Sequence, residues 1–194
     1  MSDPATISSA FAVKPEARRE ALDALAAGEG WKLTVDSPRT HLGLALRQWQ
    51  VRPQAVVGWK EDHTIGARVV FLDVDAAIEK KVLAAVPCYT RAELVRGARY
   101  APSDRAAEAL EPLRCLRRLA LVDGGNPQPD LFEVLAPWSR HPLTEVRRAT
   151  LHLASYLAGP GMLALADERA QGDPDLGERW GTLADGIRKY FGVK

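Results

Sequence analysis

Apolar positions along the chain change their rhythm near residue 98. Ahead of that point, short alternating or continuous apolar runs are interleaved with helical ones. Beyond it, apolar residues recur every three or four positions between Gly, Pro and Asp breakers. Residues 15–27 (PEARREALDALAA) predict a helix, with Pro15 suited to its first position and Gly28 to a left-handed C-cap. Residues 31–35 alternate as a short strand. Ser37-Pro38 reads as an N-cap and first helical residue, opening a helix to about Gln48 whose apolar face is Leu42, Leu44, Ala45 and Trp49. Residues 55–60 and 66–74 predict the strands of a β-hairpin turning at Glu61, Asp62, His63 and Thr64. Val69, Val70, Phe71, Leu72 and Val74 are too continuous for a half-exposed strand, so this one is expected to be covered on both faces. Asp75-Ala76 then opens a helix to about Ala85, stopped by Pro87.

The second half predicts helices over 103–122, 129–140, 143–158, 161–171 and 175–191. Gly124-Gly125-Asn126-Pro127, His141-Pro142, Gly159-Pro160-Gly161 and Gly172-Asp173-Pro174 separate them. The expected fold class is therefore α+β and predominantly helical: a small α+β unit over 1–98, with its β-hairpin near 55–74, followed by antiparallel helix pairs over 99–194. A winged helix is disfavoured. Only one helix fits ahead of the hairpin, and the hairpin tip carries Glu61 and Asp62, the wrong sign for phosphates.

The helical half repeats itself. The segment His141 to Leu151 aligns position by position with Asp173 to Leu183, sharing the Pro, one Arg, the Thr and the Leu. Each copy follows a shorter helix. Val146, Ala149, Leu153 and Leu157 form one apolar stripe, and Leu176, Trp180, Leu183, Ile187 and Tyr190 another. Under that alignment the two stripes are out of phase. One helical hairpin cannot bury such a stripe, so neighbouring hairpins must cover it. The N-terminal half is expected to cap the first unit and Tyr190-Phe191 the last.

With its Leu131, Val134 and Leu135, a turn ending in Pro142, and Glu145-Val146-Arg147-Arg148-Ala149 opening the next helix, the unit Pro129 to Leu157 resembles the bacterial HEAT-repeat family. Gly161 to Tyr190 is a weaker copy, with Gly177 and Trp180 where the better one has Glu145 and Arg148, and 77–122 holds room for a degenerate third. The resemblance implies a short α-solenoid whose second helices line a concave, partner-binding surface. It also implies that Arg147 and Arg179, at matched positions, bridge turns of neighbouring units.

Charge narrows the partner. The chain has 26 Lys+Arg against 25 Asp+Glu, a net +1, and neither half is basic: 13 against 12 in residues 1–97, and 13 against 13 after them. That excludes a gross electrostatic pull toward nucleic acid or anionic membrane. The one local excess is Arg91 to Arg118, with seven arginines against four acids, which reads as a solvated helical face. The N-terminus shows no basic-then-apolar leader, and no apolar run approaches the ~18–20 residues of a membrane span. A cytoplasmic location without membrane association is expected. Cys88 and Cys115 have neither metal-ligand nor redox spacing and are expected to be buried thiols.

No catalytic motif stands out: GxSxG, P-loop, GxGxxG and HExxH are absent. His63 beside Asp62 and Glu61 is expected to be solvated rather than metal-bound, His41 to be a surface residue, and His141 to serve its turn. Asp75 is expected to cap a helix rather than pair with Asp73 for acid/base work. No catalytic residue, metal or cofactor is assigned. The candidate partner-binding residues are Glu145, Arg148, His152 and Ser155 on one second helix, Glu178, Thr182 and Asp185 on the next, and Trp138 and Trp59 as interface anchors if exposed. The expected activity is non-enzymatic binding of another protein, as an adaptor, a regulator or a toxin-immunity protein. The alternative is nucleic acid: the helical half is also loosely similar to HEAT-like bacterial DNA glycosylases that remove alkylated bases, which would set Trp138, Trp180 and Asp185 around the lesion. Glu145, Glu178 and Asp185 against Arg148 make the expected face non-basic, which counts against that reading.

Overall fold

A computed structural model describes residues 7–38, 43–63, 66–101, 103, 105–123, 128–157 and 159–193. The chain is α+β and predominantly helical, and it divides into two compact units between Arg91 and Ala92. The first unit holds β1 (Ile7–Ala12), α1 (Arg19–Gly28), β2 (Lys32–Ser37), β3 (Leu44–Arg52), β4 (Ala55–Asp62), β5 (Ala67–Val74) and α2 (Ala76–Ala85). The five strands form one antiparallel sheet in the order β1-β5-β4-β3-β2.

Alternation decides which side of the sheet forms the core. Trp49 on β3, Val57 and Trp59 on β4, and Val70, Leu72 and Val74 on β5 join Leu22 and Ala26 of α1 and Val82 of α2 in one buried cluster. Val69, which points the other way from Val70, is buried too, whereas Phe71 and Asp73 further along that face are partly exposed. On that second face Gly58 sits opposite Phe71, and a Cβ at Gly58 would collide with the Phe71 ring. Glycine is therefore needed there for the ring to lie across the strand. Asp75 caps α2 through its side chain, accepting from the N–H groups of Ala77 and Ile78 at 2.9 and 3.0 Å.

Three sequence expectations change in this unit. The helix expected to run to Gln48 is strand β3 over its described part; His41, Leu42 and their neighbours at 39–40 lie outside the described residues. Leu42, Ala45 and Trp49 fit a helical spacing, but pairing with β2 on one side and β4 on the other fixes 44–52 as a strand. The first helix starts at Arg19 rather than Pro15. The carbonyls of Lys14, Pro15 and Ala17 are instead taken by the Arg68 guanidinium at 2.8 to 3.1 Å, which holds that stretch as a turn. Gly28 is the last helical residue, and the left-handed position is Gly30, with φ +70°.

The second unit holds α3 (Arg91–Gly97), α4 (Ala106–Asp123), α5 (Pro129–Ser139), α6 (Thr144–Tyr156), α7 (Pro160–Gly172) and α8 (Gly177–Phe191). Sequence reading missed β1 and α3. The breaker at 124–127 lies outside the described residues. α5 packs on α6 and α7 on α8; between these hairpins α5 touches α7, and α4 packs on α6. The core is Leu116 and Leu119 of α4, Leu131 and Leu135 of α5, Val146 and Leu153 of α6, Met162 and Ala166 of α7, and Trp180 and Ile187 of α8. Tyr190 and Phe191 do not close the end of this packing: they are 84% and 45% exposed and rest edge to face on each other.

Candidate functional site

The turn before α6 and the turn before α8 are built alike. His141 Nδ1 accepts the N–H of Leu143 at 3.1 Å, and Asp173 Oδ1 accepts the N–H of Asp175 at 3.1 Å. At matched places in the two copies, each side chain holds its own turn by the same bond. Burial, helped by the nearby Arg147 cation, lowers the His141 pKa. That favours the neutral imidazole, the form that can accept at Nδ1. The His141 ring also stacks on Trp138, with centroids 5.9 Å apart.

Arg147 ties the two turns together. It lies buried near the start of α6 and donates from Nη1 to the carbonyls of His141 and Pro142, both at 2.9 Å. From Nε it donates to Asp173 at 2.9 Å, and Asp175 takes its Nη2. Asp173 also receives Arg169 at 3.0 Å and the N–H of Leu176 at 3.1 Å. Burial raises the Asp173 pKa, but the donations of Arg147, Arg169 and two backbone N–H groups outweigh it, and the carboxyl is lowered to about 2. Arg147 thus bridges neighbouring turns, as its place in the repeat suggested.

Arg179 does not do the same, and the phase of the helices explains why. The turns match with His141 on Asp173, which sets Thr144 against Leu176, yet α6 starts at Thr144 and α8 only at Gly177. The apolar stripes match later still: Val146 corresponds to Trp180 rather than Glu178, Ala149 to Leu183, and Leu153 to Ile187. The second copy spends extra residues in its turn, so Arg179 takes the helical position of Glu145 rather than that of Arg147. It reaches solvent instead of a neighbouring turn. Gly177 marks the tightest point: a Cβ there would stand 2.7 Å from the Ala170 carbonyl oxygen of α7.

Between α6 and α8 lies an open groove of about 720 Å³. α6 contributes Glu145, Arg148, Ala149, Leu151, His152 and Ser155; α8 contributes Arg179, Thr182 and Leu183. Leu151, Ala149 and Leu183 form its apolar part, with Leu151 only 9% exposed. The polar groups stand around them. His152 lies edge-on to Tyr156, Ser155 Oγ donates to the His152 carbonyl at 2.6 Å, and Thr182 Oγ1 donates to the Glu178 carbonyl at 3.0 Å.

No protein family, curated protein or solved structure matches the chain.

The groove brings together Glu145, Arg148, His152, Ser155 and Thr182 of the residues singled out from sequence, and adds Arg179, Leu151, Ala149 and Leu183. Glu178 is exposed in the first turn of α8 but outside the lining. Asp185 is turned to Arg188, 3.3 Å away. The two tryptophan anchors are not on the surface. Trp138 is 1% exposed because its Nε1 donates to the Ala98 carbonyl at 2.7 Å and its ring is packed by Tyr100 and His141. Trp59 is 2% exposed in the sheet core, with Nε1 donating to Glu61 at 2.8 Å and the Arg68 guanidinium over its ring. In both, the buried indole N–H keeps a hydrogen-bond partner, which offsets the cost of taking it out of water. Trp180 is fully buried as well, so neither it nor Trp138 can stack on an extruded base.

At the hairpin tip, strand alternation splits the trio Glu61, Asp62 and His63. Glu61 lies 3.6 Å from His63, whereas Asp62 between them is buried on the opposite side. Among the described residues no group of three or more His, Cys, Asp or Glu is placed to hold a metal ion, and no helix is long and apolar enough to cross a membrane.

Proposed function

We propose that the chain is a non-enzymatic protein-binding module, an adaptor, regulator or immunity protein, whose helical half is a short HEAT-like array that docks its partner on the second helices α6 and α8. The observation that carries this reading is the groove: apolar Leu151, Ala149 and Leu183 are ringed by exposed Arg148, His152, Arg179 and Thr182 on two helices fixed from behind by Arg147 and Asp173. An apolar centre with a polar rim on rigid elements is the anatomy of a specific protein contact. Paired hairpins with α5 against α7, and a buried arginine linking successive turns, support the array. A cytoplasmic setting fits a chain with two unpaired thiols.

The test is capture from lysate of the source organism with tagged protein, with and without nuclease, beside the variant Leu183→Asp. One stoichiometric protein retained after nuclease and lost with Leu183→Asp is the expected result. Retention of that protein by the variant removes the groove from the contact. Loss of every partner after nuclease transfers the reading to nucleic acid. The identity of the captured protein decides between an adaptor and an immunity role.

A further inference from the structure

Six arginines lie between residues 140 and 188. Four of them are matched to carboxylates: Arg140 to Glu168 at 2.6 Å, Arg147 and Arg169 to Asp173 at 2.9 and 3.0 Å, and Arg188 to Asp167 at 2.6 Å. Arg148 and Arg179 make no ion pair with a described residue, and both line the groove, one on each wall. The acids nearby have a local reason for their places. Glu145 and Glu178 sit in the first turns of α6 and α8, where the N-terminal end of a helix favours negative charge. Arg179, the third residue of α8, stands in that same first turn, where a cation is disfavoured. Neither an internal carboxylate nor the helix accounts for it.

We infer that the groove receives an acidic amphipathic helix of the partner protein. Carboxylates on that helix pair with Arg148 and Arg179, and the apolar side chains between them rest on Leu151, Ala149 and Leu183. This rests on the docking reading above and adds the chemistry of the partner. The lining carries two guanidinium groups against the single carboxylate of Glu145, so its charge complements an acidic segment and opposes a basic one. Guanidinium forks hold carboxylates in a fixed plane, which sets the register of the incoming helix as well as its sign. Apolar anchors spaced i, i+3, i+7 on such a helix fall on one face and reach a narrow apolar floor together.

The experiment uses the full chain and fluorescein-labelled synthetic helices that share one leucine stripe. One peptide carries glutamate beside the stripe, the other lysine at the same positions. Fluorescence anisotropy reads their binding, with a short duplex DNA as a third probe. The wild-type protein is expected to bind the glutamate peptide at least about tenfold more tightly than the lysine peptide, with the preference shrinking as salt rises. The double variant Arg148→Glu/Arg179→Glu is expected to exchange that preference. Both side chains are exposed and without an ion pair among the described residues, and circular dichroism checks that the variant stays folded. Failure of the glutamate peptide to bind, or binding that the double reversal leaves unchanged, overturns the inference. Preference of the wild type for the lysine peptide overturns the acidic partner while leaving α6 and α8 as the docking face. Tight duplex binding abolished by the double reversal replaces the helix with a polyanion. The docking reading itself stands or falls on Leu183→Asp in the lysate capture, so the two failures are distinct.

Discussion

At Asp173 one carboxylate receives Arg147, Arg169 and two backbone N–H groups while its side chain is wholly shielded from water. Such a group stabilises the fold only while every partner is in place. Asp173→Ala leaves two nearly buried guanidinium groups without their shared acceptor and should cost about 3–5 kcal/mol in urea unfolding. The same carboxyl sets a pH dependence. Its folded pKa, about 2, is below the ordinary value of 3.8, so its contribution is complete above that value and fades as pH falls toward 2. Wild-type stability should therefore drop between about pH 4 and pH 2, and the Asp173→Ala protein should lose less over that window. Gly177 is the steric counterpart. With the Ala170 carbonyl 2.7 Å from where a Cβ would sit, Gly177→Ala must push α8 off α7 and should cost about 1–3 kcal/mol, despite alanine's better helix propensity. A Gly177→Ala protein as stable as wild type would show that this turn relaxes freely.

Elements whose pattern is local were legible in the sequence, and those made by distant partners were not. α4 through α8 follow from apolar spacing and from the Gly, Pro and Asp that interrupt it, and Asp75 announces α2 by its capping chemistry. β3 is different: Leu42, Ala45 and Trp49 satisfy a helical period, and only β2 and β4 on either side make it a strand. The groove was half legible. Glu145, Arg148, His152, Ser155 and Thr182 lie on faces that periodicity marks as polar, whereas Arg179 was hidden by a turn that is longer in its own copy. The signal was present, because the apolar stripes match in a later register than the turns, Val146 with Trp180 where the turns set it against Glu178. Trp138 was misplaced because its partners, Ala98 and Tyr100, are far away in sequence and carry no motif. That contact yields a prediction at the scale of the elements it joins. Trp138→Phe keeps an aromatic ring against Tyr100 but strands the buried Ala98 carbonyl, and should destabilise by about 1–3 kcal/mol. Since the bond ties the residue after α3 to α5, amide exchange should accelerate first at 94–100, with α8 unaffected. Uniform acceleration across all six helices would mean that Trp138 acts through general packing instead.

Each compact unit carries one cysteine, which lets the whole molecule report on its own cooperativity. Cys88 belongs to the first unit, where burial pushes its thiol up to about 11 against the pull of Lys14. Cys115 lies on α4 in the second, and burial raises its thiol too, with Arg118 opposing. Raised thiols react slowly; Cys88, only partly buried where the sequence suggested full burial, labels through its scarce thiolate, whereas labelling of the buried Cys115 by a disulfide reagent near pH 8 waits on opening of the surrounding structure. α4 packs on α6, which carries Arg147, so loss of Asp173 weakens the packing of the helix that holds Cys115. The Cys88 surroundings are the sheet, α1 and α2, with a core cluster that draws only on residues 11–88. Asp173→Ala is therefore expected to speed labelling of Cys115 by about tenfold or more, the kinetic equivalent of at least ~1.4 kcal/mol of lost local stability, while Cys88 labels at the wild-type rate. Site-resolved mass spectrometry of the labelled chain separates the two rates. Equal acceleration at both sites would show that the units open as one cooperative body, and a groove mutation would then have to be judged against the stability of the entire chain. Acceleration confined to Cys115 keeps α6 and α8 thermodynamically separate from the sheet, so a partner seated on them should protect Cys115 from the reagent and leave Cys88 as it was.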